Sequence, residues 1–185
     1  MIGQKGIDKL YLGCQEISTI YLGKRKIWPD EELSEAYIFL NGSTDFYKGG
    51  WKGSVTVGNT LLSSVSANFP NAKAVEFYMA EGIDISQFDF VEVSGTFICG
   101  ENRFGADSYV SIRLMKEDRS AILKSITLQG ESVASKTWNT PQKLDISNIT
   151  GKAIISFYLR AEDHYDNAND SLSKATVTAI RLSKI

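Results

Sequence analysis

From Ala36 onward, apolar and polar residues alternate in short runs separated by polar turns. A period of two along 4–8 residues predicts half-buried strands. Gln87 to Cys99 shows it best, with Phe88, Phe90, Val91, Val93 and Phe97 set among Asp, Glu, Ser and Thr. Tyr109 to Met115 alternates again, and Ala153 to Leu159 is a near-continuous apolar run that predicts a central strand. Shorter runs predict strands at Tyr37–Leu40, Ser54–Val57, Leu61–Ala67, Ala74–Met79, Ala121–Leu128, Gln142–Ile146 and Ala175–Leu182. Roughly nine or ten strands with no long helical period predict an all-β sandwich. The first and last of these strands are expected to pair.

Before Ala36 the pattern changes. Gly3, Gly13 and Gly23 fall in register at ten-residue spacing, as do Ile7, Ile17 and Ile27. Two full copies, Leu10–Ile17 and Ile20–Ile27, read as a short β run, a Gly, a polar tip of three residues and a β-branched return. Ile2–Ile7 is a partial third copy. A lone two-stranded hairpin is marginal in water, and repeats become stable by covering one another. The apolar residues Leu10, Leu12, Ile17, Ile20, Leu22, Ile27 and Trp28 therefore need a partner, either the rest of the chain or other copies of it. Pro29–Glu35 is acidic, opens on a proline and is expected to be a linker with at most one helical turn. The expected domains are thus residues 1–28, a linker at 29–35, and a sandwich at 36–185.

Composition narrows the function. A net charge of −2 gives no general attraction to nucleic acid or an anionic membrane. No apolar run approaches the roughly 20 residues that span a bilayer. If Met1 is the true start, the N-terminus has no signal-peptide core, because Gly, Lys and Asp interrupt it. Cys14 and Cys99 lie far apart without a metal-ligand pattern and are expected to be free thiols. No nucleophile elbow, zinc-protease motif, phosphate loop or dinucleotide fingerprint is present, so no catalytic residues are expected. Paired carboxylates for glycoside hydrolysis stay open, since such partners meet only in space.

Two resemblances add to this. Gly82 to Val93 resembles the entry to a mid-domain strand in galactose-binding-like, carbohydrate-binding-module-type sandwiches. Leu144 to Ile155 resembles the segment before a late strand there, and Val177 to Leu182 resembles the last strand. Together they imply a jelly-roll-like, galactose-binding-like β-sandwich. Separately, the tandem Ile-Tyr-Leu-Gly units over residues 2–28 resemble a short repeat of phage tail and other virion-associated proteins.

Sugars are held by aromatic faces with a few amides and carboxylates fixing their hydroxyls. Asn41, Asp45, Phe46, Tyr47 and Trp51, in the Gly-rich stretch Asn41–Gly53, are the candidate glycan ligands; the alternative is that Tyr47 and Trp51 cap the core. Asp163, Asp166, Asn167 and Asp170 lie in an acidic stretch with the single histidine, His164. Oxygen-rich sets hold calcium, which galactose-binding-like sandwiches often carry; the alternative is a solvated acidic loop. No other cofactor is expected. Glu101–Asp107 is a further polar loop, and Lys24–Lys26 a basic tip too small for nucleic acid.

The two resemblances together imply a non-enzymatic phage structural protein of fibre or adhesin type, located in the virion. Its N-terminal repeat would assemble with itself, a trimer being the number fibres commonly use, or dock to other virion proteins. Burial of the repeat's apolar face would drive this at about 25 cal/mol per Å². The sandwich would face outward toward host surface glycan. The alternatives are a monomeric carbohydrate-binding module of a bacterial protein and a ligand-free decoration protein.

Overall fold

The computed structural model describes residues 10–12, 15–17, 20–22, 25–28, 35–42, 47–68, 71–101, 108–131, 134–163 and 172–185, the strands before residue 29 by their backbone pairing. Contacts divide the chain into two compact units, Met1–Leu33 and Ser34–Ile185.

In the first unit, β1 (Leu10–Leu12) pairs antiparallel with β2 (Gln15–Ile17), and β3 (Ile20–Leu22) with β4 (Arg25–Trp28). Leu12 faces Gln15 and Leu22 faces Arg25, so the ten-residue repeat is a repeat of register. The second hairpin has an irregularity that puts Ile20 opposite Trp28 where the first sets Leu10 opposite Ile17. One expectation is corrected: Gln15–Glu16 and Arg25–Lys26 are strand residues, not tip residues. Gly13 and Lys24 lie outside the described residues, as do residues 29–34 of the expected linker 29–35; its last residue, Glu35, is corrected to the first residue of the next strand.

The second unit is an all-β, jelly-roll-like sandwich; among the described residues there is no helix. Its strands are β5 (Glu35–Leu40), β6 (Trp51–Gly53), β7 (Thr56–Val57), β8 (Leu61–Ser66), β9 (Ala72–Met79), β10 (Ile83–Asp84), β11 (Phe90–Cys99), β12 (Tyr109–Lys116), β13 (Ile122–Gln129), β14 (Lys136–Trp138), β15 (Gln142–Asp145), β16 (Lys152–Glu162) and β17 (Leu172–Ser183). One sheet runs β13-β12-β16-β9-β6, with β10 also on β16; the other runs β14-β11-β17-β8-β7, with β15 on β11 and β5 on β17. The first sandwich strand does pair with the last, Tyr37 opposite Arg181.

Strand alternation builds the core. Phe77, Ile112, Leu114, Phe157 and Leu159 from one sheet meet Ile38, Val93, Phe97, Val177 and Ile180 from the other, all 1% exposed or less. Phe77 and Phe157 stack across β9 and β16 at 4.6 Å between ring centres. Ile154 departs from β16's alternation: it is buried on the outer face, which explains why the run reads as continuously apolar.

The segments that resemble each other in sequence do one job twice. The Asp84 carboxylate accepts from the Ser86 amide at 2.9 Å and its hydroxyl at 2.6 Å; Asp145 accepts from Ser147 at 3.1 and 2.7 Å. Both carboxylates are held below the usual range, first by the serine hydroxyl and then by the amide. Between each pair an isoleucine, Ile85 or Ile146, plunges into the core. Ile85 then accepts from the Phe88 amide, and Ile146 from that of Ile149. Each staple turns the chain while plugging the sandwich.

Candidate functional site

The aromatic stretch before β7 holds the glycan-ligand candidates Asn41, Asp45, Phe46, Tyr47 and Trp51. Asn41 (φ 45°) and Gly42 (φ 85°) are both left-handed, the pairing Asn-Gly supports in a tight turn; Asn41 is exposed. Asp45 and Phe46 lie outside the described residues. Tyr47 is 3% exposed. Its hydroxyl donates to the Gly50 carbonyl at 2.8 Å and accepts from the Glu81 amide at 3.0 Å, and burial pushes its pKa up. Trp51 is half-buried, edge-on to Tyr47 at 6.3 Å and to Phe77 at 6.0 Å, and 6.3 Å from Phe157. Its residues Trp51–Gly53 form an edge strand rather than part of a loop. The two rings thus take the alternative role, closing the core, and Tyr47 has no free face for a sugar.

Asp163 directly follows β16 and is 5% exposed; Asp166, Asn167 and Asp170 lie outside the described residues. Among the described residues no group of three metal-ligating side chains forms. Glu101 is half-buried, and residues 102–107 lie outside the described ones. Cys99 is a free, buried thiol donating to the Leu128 carbonyl at 3.1 Å; burial raises its pKa to about 11.

The chemistry gathers instead on the outer face of the six-stranded sheet. Antiparallel register sets Tyr109 beside Arg160, Ser111 beside Tyr158, and Arg113 beside Ser156. On the next strand Glu76 lies beside Tyr158 and Tyr78 beside Ser156. All of these share one face, opposite the core residues Val110, Ile112 and Leu114. Ser111 and Ser156, 3% and 0% exposed, form a floor. Around them stand half-buried tyrosines and arginines. Arg119 lies over Tyr78 at 3.8 Å and Arg113 over Tyr158 at 4.1 Å, while Tyr109 and Tyr158 are 5.9 Å apart and tilted by 31°. Glu76 bridges, taking Arg119 at 2.5 Å on one oxygen and the Ser156 hydroxyl at 2.6 Å on the other. Arg160 pairs with Glu162.

Cation–π contacts of about 0.5–2 kcal/mol and these hydrogen bonds fix the side chains without hiding them. The face offers flat rings, fixed donors and acceptors, and small hydroxyls. At its end, a depression of about 520 Å³ lies between the β12–β13 turn and Thr150. Lys116 and Lys152 there oppose Glu117 and Asp118, so it has no net charge preference.

Sequence reading missed this face. The signal was present, because Tyr109, Ser111 and Arg113 alternate with Val110, Ile112 and Leu114.

Fold and face together define a two-sheet antiparallel β-sandwich whose six-stranded sheet carries a polar-aromatic outer face. No protein-family model matches the chain and no curated protein matches it. Among solved structures, a variant of a family 29 carbohydrate-binding module is similar over 80% of this chain and 91% of that one, at 12% identity and a TM-score of 0.42. The N-terminal cellulose-binding domain of Cellulomonas fimi β-1,4-glucanase C is similar over 74% and 90%, at 13% identity and a TM-score of 0.42. The VP2 protein of infectious bursal disease virus is similar over 91% of this chain and 37% of that one, at 11% identity and a TM-score of 0.44. Likenesses this distant say nothing about what this chain binds.

Proposed function

We propose that the chain is a non-catalytic glycan-binding protein of virion-associated, fibre or adhesin type. The sandwich binds sugar through the outer face of the six-stranded sheet. One observation carries the binding half of this reading: Tyr78, Tyr109 and Tyr158 stand on one face with Arg113, Arg119, Glu76 and a serine floor. Rings take the C–H side of a sugar, and charged or amide groups take its hydroxyls. A sugar laid across strands would meet several such groups at once, which suits a polymer.

The virion half rests on the N-terminal repeat, whose two hairpins are each too small to be stable uncovered. Assembly with other copies or docking to another virion protein supplies the cover.

Electrophoresis of the whole chain through gels containing dissolved polysaccharides tests the first half. Retardation by at least one polymer, lost in the Tyr109→Ala/Tyr158→Ala double variant with the fold intact, supports it. Unchanged retardation in that variant moves the site elsewhere. Light scattering tests the second. An oligomer that becomes a monomer when the chain starts at Asp30 supports assembly. Two monomers, the shorter less stable, favour a monomeric binding module.

A further inference from the structure

The cations on this face are not equivalent. Arg119 is neutralised by Glu76 at 2.5 Å and Arg160 by Glu162. Arg113 is different. Its Nε donates to the Ser111 hydroxyl at 3.3 Å and its guanidinium lies over Tyr158 at 4.1 Å, but no carboxylate among the described residues faces it. It is half-buried near the middle of the face, with Ser125 beside it on one neighbouring strand and Ser156 on the other. The carboxylate of Glu76, two residues before Tyr78 on β9, is already divided between Arg119 and Ser156. Lys52, beside Tyr78 at the sheet edge, likewise has no carboxylate partner among the described residues. Among the described residues the face therefore carries a surplus of positive charge, on a chain whose net charge is −2.

From this we infer that the ligand is an acidic glycan, one whose sugar bears a carboxylate, and that Arg113 is the residue that receives it. The inference rests on the reading of this face as the glycan site. With Nε held by Ser111 and the plane seated on Tyr158, the two terminal nitrogens of Arg113 remain as a fixed fork. A planar carboxylate matches such a fork with two parallel hydrogen bonds. The Tyr109 ring, 5.9 Å from Tyr158, has no cation over it among the described residues and takes the apolar side of the same or the adjoining sugar. A neutral glycan would leave Arg113 partly desolvated and unpaired, which disfavours it.

The test uses the whole chain and paired probes: polygalacturonate against its fully methyl-esterified form, and hyaluronate against its carboxyl-reduced form. Dextran sulfate reports general attraction to polyanions. Binding is read by gel retardation and titration calorimetry, for wild type, Arg113→Gln, Arg113→Lys and the Tyr109→Ala/Tyr158→Ala variant, each checked for a single cooperative melting transition well above the assay temperature. The expected result is binding of at least one acidic polymer, weakened about ten- to hundredfold by esterification or reduction and by Arg113→Gln. Arg113→Lys restores only part of it, because an ammonium lacks the fork. Equal binding of acidic and neutral partners, with Arg113→Gln unchanged, overturns this inference while leaving the glycan site standing. Dextran sulfate binding as tightly as any carboxylate polymer, with Arg113→Lys equal to wild type, reduces it to general charge attraction and also overturns it. Binding to none of the polymers, or binding that the tyrosine double variant leaves intact, sinks both the inference and the site.

Discussion

Two groups of aromatic residues meet opposite fates in this sandwich. Tyr47 and Trp51 come from a Gly-rich stretch that looks like a binding loop, and they join Phe77 and Phe157 in closing the core. Tyr78, Tyr109 and Tyr158 come from strands that look like ordinary sheet, and they stand on the outer face among arginines. The residue types are nearly the same. What separates them is strand parity: Trp51 lies opposite Met79, a core position, whereas Lys52 lies opposite Tyr78. A one-residue slip would exchange the two sides. Aromatic content alone does not mark a site; the face on which the pleat puts the ring does.

Mutations that separate stability from binding sharpen this contrast. The largest stability effect belongs inside. Trp51→Ala is expected to lower unfolding free energy in urea by about 3 kcal/mol while leaving glycan affinity of the folded protein unchanged. The dryness of the same interior is read through Cys99. Its thiol stays neutral up to about pH 11 when folded, against 9.0 for an ordinary thiol. That contribution to stability is therefore full below pH 9 and is lost as pH rises through about 11. The stability gap between wild type and Cys99→Ala should shrink by roughly 2–3 kcal/mol across that window; a constant gap would mean the thiol is wetter than it looks. Tyr47→Phe removes a hydroxyl with two backbone partners and should cost about 1–2 kcal/mol. On the outside, Tyr158→Ala loses the contacts with Arg113 and with the Tyr109 ring, about 1–2 kcal/mol, yet should abolish retardation in a polysaccharide gel. Similar stability losses for Trp51→Ala and Tyr158→Ala would dissolve the distinction.

Much of the fold was legible in the chain because alternation is a local signal. The long strands and the absence of a helical period follow from it, whereas the pairing of Tyr37–Leu40 with the last strand was expected from their places at the two ends of the sandwich. The edge strand at Trp51–Gly53 was not legible. It is three residues long, and Gly53 is required by the chain beside it: a Cβ there would lie 2.2 Å from the Glu76 carbonyl. The Lys136–Trp138 strand was likewise hidden; Trp138 is anchored by its indole N–H to the Gln129 carbonyl at 3.1 Å, a contact nine residues away. The site was half legible. Sequence alternation places Tyr109, Ser111 and Arg113 on one face, but only the register of β16 and β9 against β12 brings Tyr158, Ser156, Glu76 and Tyr78 to them. Conversely, the reach of Tyr47 to Gly50 and Glu81 is a tertiary contact that no local pattern encodes.

The central claim is that the outer face of the six-stranded sheet, and not the Asn41–Gly53 stretch, is the glycan site. Backbone amide shifts in a two-dimensional NMR titration, with the best-retarding polymer shortened to an oligosaccharide, test it most directly. The account expects the largest changes at Tyr109–Arg113, Ser156–Arg160 and Glu76–Tyr78, with Tyr47–Gly53 nearly still. Shifts confined to Tyr47–Gly53 and Asn41 would contradict it, returning the site to the stretch the sequence first suggested.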